Sequence, residues 1–313
     1  MLLPLSIIIP TYNRHSVLKQ TIESLCAGVC SASEIIIVDQ SPVPFDPGKI
    51  AIPVGIKIRV IQSEIPSSTS ARNIGISHAK EENILFCDDD ILVDAHSLER
   101  LYETLKDASV GLVCAMHYEL SGVFTPSKRI SVRDVMGTLL GLQKFWRKDG
   151  YIIKSNLRGR YPKGITQRVP SQWAQGYFFA VKKQILKQMD HFFDESLTRY
   201  AYAEDLDFTV RYIRLCDRRR MSCYLDPRIY VNHLVTREWR VPKEEEVYHL
   251  FANRRYLQHK LFPNNKWYPI LMRWFDYLFY LSQRRNEEYA FLIKKALEKC
   301  QSSQQDILQG KGL

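Results

Sequence analysis

The chain contains no CxxC pair, and its seven cysteines (26, 30, 87, 114, 216, 223 and 300) are odd in number and scattered. A disulfide framework and a zinc site are thereby disfavoured, and a reducing, cytoplasmic setting is expected. No apolar run reaches the roughly 18 residues of a membrane-crossing helix. The N-terminus has no basic segment before its apolar residues and no small-residue cleavage site, so no signal peptide is expected. Glycine-rich phosphate loops are missing as well. Nothing of the form GxGxxG follows the first apolar run, and no GxxxxGK precedes a Ser or Thr, which disfavours dinucleotide and P-loop binding. No internal repeat is found. Charge, in contrast, is in surplus: the 313 residues carry a net +10, which favours an anionic partner such as nucleic acid, acidic lipid headgroups or a phosphorylated substrate. The hydrophobic fraction of 45% is that of an ordinary globular protein with one large domain or two smaller ones.

The centre of the sequence is Asn83-Ile84-Leu85-Phe86-Cys87-Asp88-Asp89-Asp90-Ile91. A short apolar run reads as a buried strand and stops at three adjacent carboxylates. Such charges repel one another unless a cation neutralises them, and hard oxygen ligands suit Mg²⁺ or Mn²⁺. The alternative is a solvated acidic turn that caps the next helix. The position favours a ligand, because open α/β sheets bind theirs at the carboxyl ends of strands.

The surrounding pattern is α/β. Residues 5–9 and 34–38 are continuous apolar strands, the second ending in Asp39. A helix is expected through Val17, Leu18, Ile22 and Leu25, a proline-rich loop over 41–48, a strand over 57–61 and a helix near Ala71 behind the capping residues 67–70. A helix over 97–106 and a strand over 110–117 complete a mostly parallel sheet with helices on both faces.

Residues 118–170 are poor in apolar side chains and rich in basic ones: Lys128, Arg129, Arg133, Lys144, Arg147, Lys148, Lys154, Arg158, Arg160, Lys163 and Arg168. A loop-rich insertion with a short helix over 135–145 is expected, either as a solvated basic surface or as an anion-binding region. Residues 173–181 read as a glycine-marked strand. Glu204 and Asp205 open a helix, where they cap it or aim a general base into the cleft. A strand over 221–225, a turn at Asp226-Pro227 and a second strand lead to His233, a structural histidine or a third metal ligand. Helices are expected over 243–260 and 267–280, and a frayed tail from Gln301. The aromatic second helix suits membrane-interfacial contact, packing on the catalytic part or self-association through 267–281.

Five of these strings, in this order, are those of a known family. Residues 6–14 (SIIIPTYNR), 36–41 (IIVDQS), 70–75 (SARNIG), 86–90 (FCDDD) and 204–208 (EDLDF) resemble the family 2 glycosyltransferases of GT-A fold, mainly enzymes of bacterial surface polysaccharide assembly such as capsule and O-antigen. The resemblance spans residues 5 to about 240. It implies a Rossmann-like GT-A catalytic domain over 1–240, with a nucleotide-binding part to about 117 and an acceptor-binding part beyond, followed by a helical extension over 241–313. It also implies roles: Pro10, Thr11, Tyr12, Asn13, Arg14, Asp39, Arg72, Asp88 and Asp89 toward the nucleotide-sugar donor, with Asp39 accepting from a pyrimidine N–H. Asp90, with Asp88 and His233, would hold Mn²⁺ or Mg²⁺. Asp205 would be the base, with Glu204 beside it, and Trp173, Gln175, Gly176 and Tyr177 would meet the acceptor. The implied reaction is inverting transfer from a nucleoside diphosphate sugar, UDP- first and dTDP- next, to a glycan or lipid-linked acceptor at the inner membrane face. The Gln-x-x-Arg-Trp string of processive members is not matched; the nearest is Arg237-Glu238-Trp239-Arg240, which implies addition of one sugar or few.

Two other classes compete. A metal-dependent nucleotidyltransferase would use the same carboxylates, but normally has a basic glycine-rich loop where Pro10-Thr11-Tyr12-Asn13 stands. A basic nucleic-acid- or membrane-binding module fits the net charge, yet gives the acidic clusters no purpose, so no nucleic-acid partner is expected.

Overall fold

The computed structural model describes residues 1–118, 137–138, 144, 146–162, 164–236 and 241–313. The first half alternates as the hydrophobic pattern requires: β1 (Leu2–Thr11), α1 (His15–Cys26), β2 (Ser31–Asp39), β3 (Lys57–Gln62), α2 (Ser68–His78), β4 (Asn83–Cys87), β5 (Ile91–Val93), α3 (Ser97–Leu105) and β6 (Val110–Tyr118). There follow β7 (Tyr151–Ile153), β8 (Arg158–Arg160), β9 (Val169–Pro170), β10 (Phe178–Lys182), α4 (Lys183–Leu186), α5 (Glu204–Arg218) and β11 (Ser222–His233). Four helices end the chain: α6 (Lys243–Leu261), α7 (Tyr268–Ser282), α8 (Glu287–Ser302) and α9 (Gln304–Leu308).

The main sheet has the order β3-β2-β1-β4-β10-β6-β11-β5, with β9 beside β11. β3, β2, β1 and β4 are parallel, β10 runs antiparallel to both its neighbours, and β11 is parallel to β6. Successive side chains of a strand face opposite sides. Ile7 and Ile9 accordingly pack with Leu18 and Ile22 of α1 and Leu98 and Leu101 of α3. Ile8, between them, packs on the other side with Ala71 and Ile76 of α2 and Phe208 and Tyr212 of α5.

α2 lies close against the sheet because Gly75 has no side chain: a Cβ there would come within 2.3 Å of Ile8 Cγ2. Gly75→Ala is expected to lower stability by about 1–3 kcal/mol, the usual cost of overpacking. Urea unfolding of the two proteins measures it, and an unchanged midpoint would contradict the close approach.

Three expectations need correction. The strand expected over 173–181 begins only at Phe178, and residues 173–177 form a loop that lines the cleft. Asp226-Pro227 is not a turn; β11 passes through it with a register shift between Asp226 and Tyr230, an irregularity that accommodates a proline lacking its N–H. The tail from Gln301 is not frayed, because Ile307 and Leu313 are buried in a third core with Val247, Phe251 and Leu257 of α6. That core also takes in Trp173, Leu197, Ala201 and Leu206, so the C-terminal helices pack on residues around the cleft. The 135–145 helix lies almost wholly outside the described residues, of which 137–138 are helical. Lys128, Arg129, Arg133, Lys163 and the 237–240 string also lie outside them.

α7 buries only Met272 and Asp276; Trp267 before it and Ile270, Trp274 and Tyr277 within it are exposed. Among the described residues, no helix is long and apolar enough to cross a membrane.

Candidate active site

A cleft of about 980 Å³ opens along the carboxyl edge of the parallel strands. Pro10, Thr11, Tyr12 and Arg14 line it from the end of β1, and Arg72 from α2. Asp88 and Asp89 line it from beyond β4, residues 173 and 175–177 from the loop before β10, Glu204 and Asp205 from α5, and His233 from β11.

Register brings the carboxylates to the histidine. β11 pairs antiparallel with β5, His233 opposite Ile91, and Leu234 N–H donates to the Asp90 carbonyl at 2.8 Å. His233 Nε2 therefore lies 2.9 Å from Asp90 Oδ1 and 3.8 Å from Asp88 Oδ2. Asp90 also accepts from Arg14 Nη2 at 2.6 Å and from the Thr236 N–H at 3.0 Å. Asp89 accepts from Thr11 Oγ1 at 2.8 Å and pairs with Arg14 Nη1 at 2.7 Å.

Arg72 joins this group to the start of α5. The Ser67 side chain caps α2 by accepting from Ser70 N–H, and Arg72 follows one turn later, almost fully buried. Its guanidinium bonds Asp88 Oδ1 at 2.8 Å, the Gly176 carbonyl at 3.3 Å and Glu204 Oε1. Asp205 is fixed by backbone: Oδ2 accepts from Gly176 N–H at 2.8 Å and Oδ1 from Leu206 N–H at 2.7 Å. The turn ahead of α5 is strained. Arg199, Ala201 and Ala203 have φ of 50°, 43° and 67°, a region non-glycine residues rarely adopt and one that concentrates at functional sites.

Five carboxyl groups here face two guanidiniums and one imidazole. Burial pushes Asp89 up to about 7 against the pull of Arg14 and Thr11, and pushes Glu204 up to about 7 against Arg72. Burial also raises Asp205, opposed by the Gly176 and Leu206 N–H groups. For Asp90 burial acts upward too, but His233 and then Arg14 outweigh it and bring the group down to about 2. A site with surplus carboxylate charge suits a cation. Asp88, Asp90 and His233 offer two carboxylate oxygens and an imidazole nitrogen, all within 4.8 Å of one another. That donor set fits Mn²⁺ or Mg²⁺.

Two residues anticipated on the donor side, Asp39 and Asn13, and one anticipated as a metal ligand, Asp90, lie off the cleft wall. Asp39 is fully buried: Ser41 N–H and Oγ and Phe45 N–H donate to it, and His15 Nε2 lies 3.0 Å away. It shapes the 41–45 loop, and Gln40 lines the cleft in its place. Asn13 has φ of 55° and donates its N–H to Ser41 Oγ. Asp90 stands behind Asp88 and Asp89, only 1% exposed. Trp173 is mostly core, its ring tilted against Tyr161 and its Nε1–H donating to the Arg160 carbonyl. Tyr177 packs its ring on His233 and donates its hydroxyl to the Ala115 carbonyl. Gly176 bonds both Arg72 and Asp205, where a longer residue would crowd Glu204.

Sequence reasoning missed the far end of the cleft: Leu157, Arg158, Gly159, Arg160 and the 199–203 turn. The basic composition of 118–170 pointed to Arg158 and Arg160, but no pattern flags a strained Arg-Tyr-Ala-Tyr-Ala turn.

A model of glycosyl transferase family 2 matches residues 6–188. The uncharacterized glycosyltransferase EpsJ of Bacillus subtilis is 34% identical over 119 residues, 37% of this chain and 34% of EpsJ. The chain spans about a third of the length of the curated relatives it matches. A structure of GalNAc-T7 with UDP, GalNAc and Mn²⁺ superposes with a TM-score of 0.56 at 15% identity, over 86% of this chain and 54% of that one. The mannosyltransferase PcManGT of Pyrobaculum calidifontis, in complex with GDP-Man and Mn²⁺, gives 0.50 at 14% identity, over 96% and 75%. At such identities the likeness is one of fold, and both are glycosyltransferases.

Proposed function

Because this chain belongs to glycosyl transferase family 2, we propose that its cleft moves one sugar from a nucleoside diphosphate donor to an acceptor hydroxyl with inversion. UDP-sugars are the favoured donors and dTDP-sugars the next. The acceptor class is a glycan or lipid-linked oligosaccharide of bacterial surface polysaccharide synthesis. The exposed aromatic face of α7 suits work at the inner surface of the membrane.

One observation carries this reading: Arg72 ties Asp88 of the acidic cluster to Glu204 at the helix start, so a cation-binding group and a buried carboxylate pair share one cleft. Asp88, Asp90 and His233 would hold the divalent cation, which when bound supplies Lewis-acid stabilisation of the leaving diphosphate. The chain's own residues do the rest. Pro10, Thr11, Tyr12 and Gln40 border the donor side, and Arg14 fixes Asp89 and Asp90. Arg72 orients Asp88 and Glu204. Asp205, its carboxylate held by two backbone N–H groups, takes the proton from the acceptor hydroxyl as that oxygen attacks the anomeric carbon. Displacement assisted by a single base inverts that centre and needs no covalent intermediate.

Calorimetric titration with UDP, dTDP, GDP and CMP, each with Mn²⁺ and with chelator, tests the donor side. Metal-dependent binding of one uridine or thymidine diphosphate is expected, weakened about tenfold or more in Asp90→Ala. Equal binding with and without metal, or binding of none by the folded protein, would overturn the reading.

A further inference from the structure

The cleft has a second, oppositely charged end. β7 and β8 form a hairpin whose second strand is Arg158-Gly159-Arg160. Gly159 lies against the Trp173 ring, where a Cβ would come within 2.3 Å of Cδ2. Residues i and i+2 of a strand share a face, so Arg158 and Arg160 project together on the other side. Both line the cleft, with Arg199, Tyr200 and Tyr202 nearby.

Arg158 is poorly compensated among the described residues. No carboxylate pairs with it among the described residues, and its Nε is buried without a hydrogen-bond partner. The ring of Phe279 on α7 lies 5.4 Å from its guanidinium carbon. Burial pushes it down to about 10, and the like charges of Arg254 and Arg160 push the same way against Asp276. Arg254 beneath it is fully buried and has an unpartnered Nη1, although Asp276 holds its Nη2. A half-buried guanidinium with spare donors and cationic neighbours is stabilised by an anion that fills the gap, and the guanidinium fork matches phosphate oxygens.

We infer that this end of the cleft binds a phosphate or diphosphate group carried by the acceptor, with Arg158 as the principal donor. The inference rests on the glycosyltransferase reading and narrows its acceptor to an anionic one. The source of the phosphate is a lipid diphosphate or a phosphate-bearing glycan. Phe279 meets Arg158 from α7, and Trp274 and Tyr277 are exposed elsewhere on the same helix.

Inorganic pyrophosphate titrated by calorimetry in the presence of chelator tests the site while the metal-dependent donor group is silent. The intact protein is expected to bind it. Arg158→Gln is expected to weaken binding about ten- to hundredfold, Arg158→Lys to weaken it less, and both to bind UDP with Mn²⁺ as the parent does. That UDP control reports both folding and the donor side. If UDP fails and pyrophosphate still binds, the glycosyltransferase reading falls and the anion site stands. No pyrophosphate binding by the parent protein, or equal binding by Arg158→Gln, would overturn the inference. Farnesyl diphosphate in phosphatidylcholine vesicles identifies the source: tighter binding than free pyrophosphate supports a lipid diphosphate, and equal binding supports a phosphorylated glycan.

Discussion

Replacing Asp205 with asparagine is expected to slow sugar transfer about 10²–10⁴-fold, the usual contribution of a general base, and to leave donor binding intact. The side chain keeps its shape, and its amide oxygen still accepts from one of the two backbone N–H groups, Gly176 or Leu206, that hold the carboxylate. A base acts in its ionised form. Burial raises the Asp205 carboxyl above the ordinary aspartate value, so the parent rate falls as pH drops through that raised value. The asparagine variant loses this acidic limb. Single-turnover rates across a pH series, with UDP binding measured in parallel, test both points. Parent-like turnover would move the role to Glu204, since Asp207 is fully buried and bonded to Arg211 and Lys260.

Asp276→Ala is expected to cost about 3–5 kcal/mol of stability, the penalty for stranding a buried charge. Asp276 Oδ1 meets Arg254 Nη2 at 2.9 Å, with the two side chains 2% and 1% exposed. Arg255 lies 3.7 Å from the other oxygen. Two guanidiniums would lose their counterion inside the layer that supports Arg158. The double change Arg254→Met with Asp276→Leu is expected to recover most of the loss, because an apolar pair of similar volume leaves no charge behind. Denaturant midpoints of the three proteins decide. A loss below about 1 kcal/mol in Asp276→Ala would show that water reaches the pair.

The sequence made the first half of the chain legible because its signals are local. Apolar runs at 5–9, 34–38 and 83–87 are buried strands whose period is readable without partners, and Ser67 caps a helix by a rule that spans three residues. The carboxylates stood out because three adjacent charges need an explanation. What stayed hidden depends on contacts between distant segments. Asp39 looks like a ligand-facing strand end, yet the 41–45 loop folds back and takes its oxygens. Pro227 looks like a turn until β6 pairs with the strand on either side of it. Ile307 and Leu313 are isolated apolar residues in a polar tail, and only α6 gives them a surface. Arg158 was one of eleven basic residues in a stretch; its lack of a salt-bridge partner among the described residues is visible only in three dimensions.

The place of β10 sets an order of assembly. Residues 178–182 lie between β4 and β6 and pair with both, although the chain reaches β6 some sixty residues earlier. Until that segment arrives, β4 has one open edge and the two halves of the sheet have no bridge. The loop that places Gly176 against Arg72 and Asp205 comes in with the same strand. The candidate site thus forms through contacts of long sequence separation, the kind whose loop-closure cost slows folding. An emerging chain carries its acidic cluster on a strand with one open edge until β10 closes beside it, and an exposed edge of that kind is where a partly folded copy would pair with its neighbour.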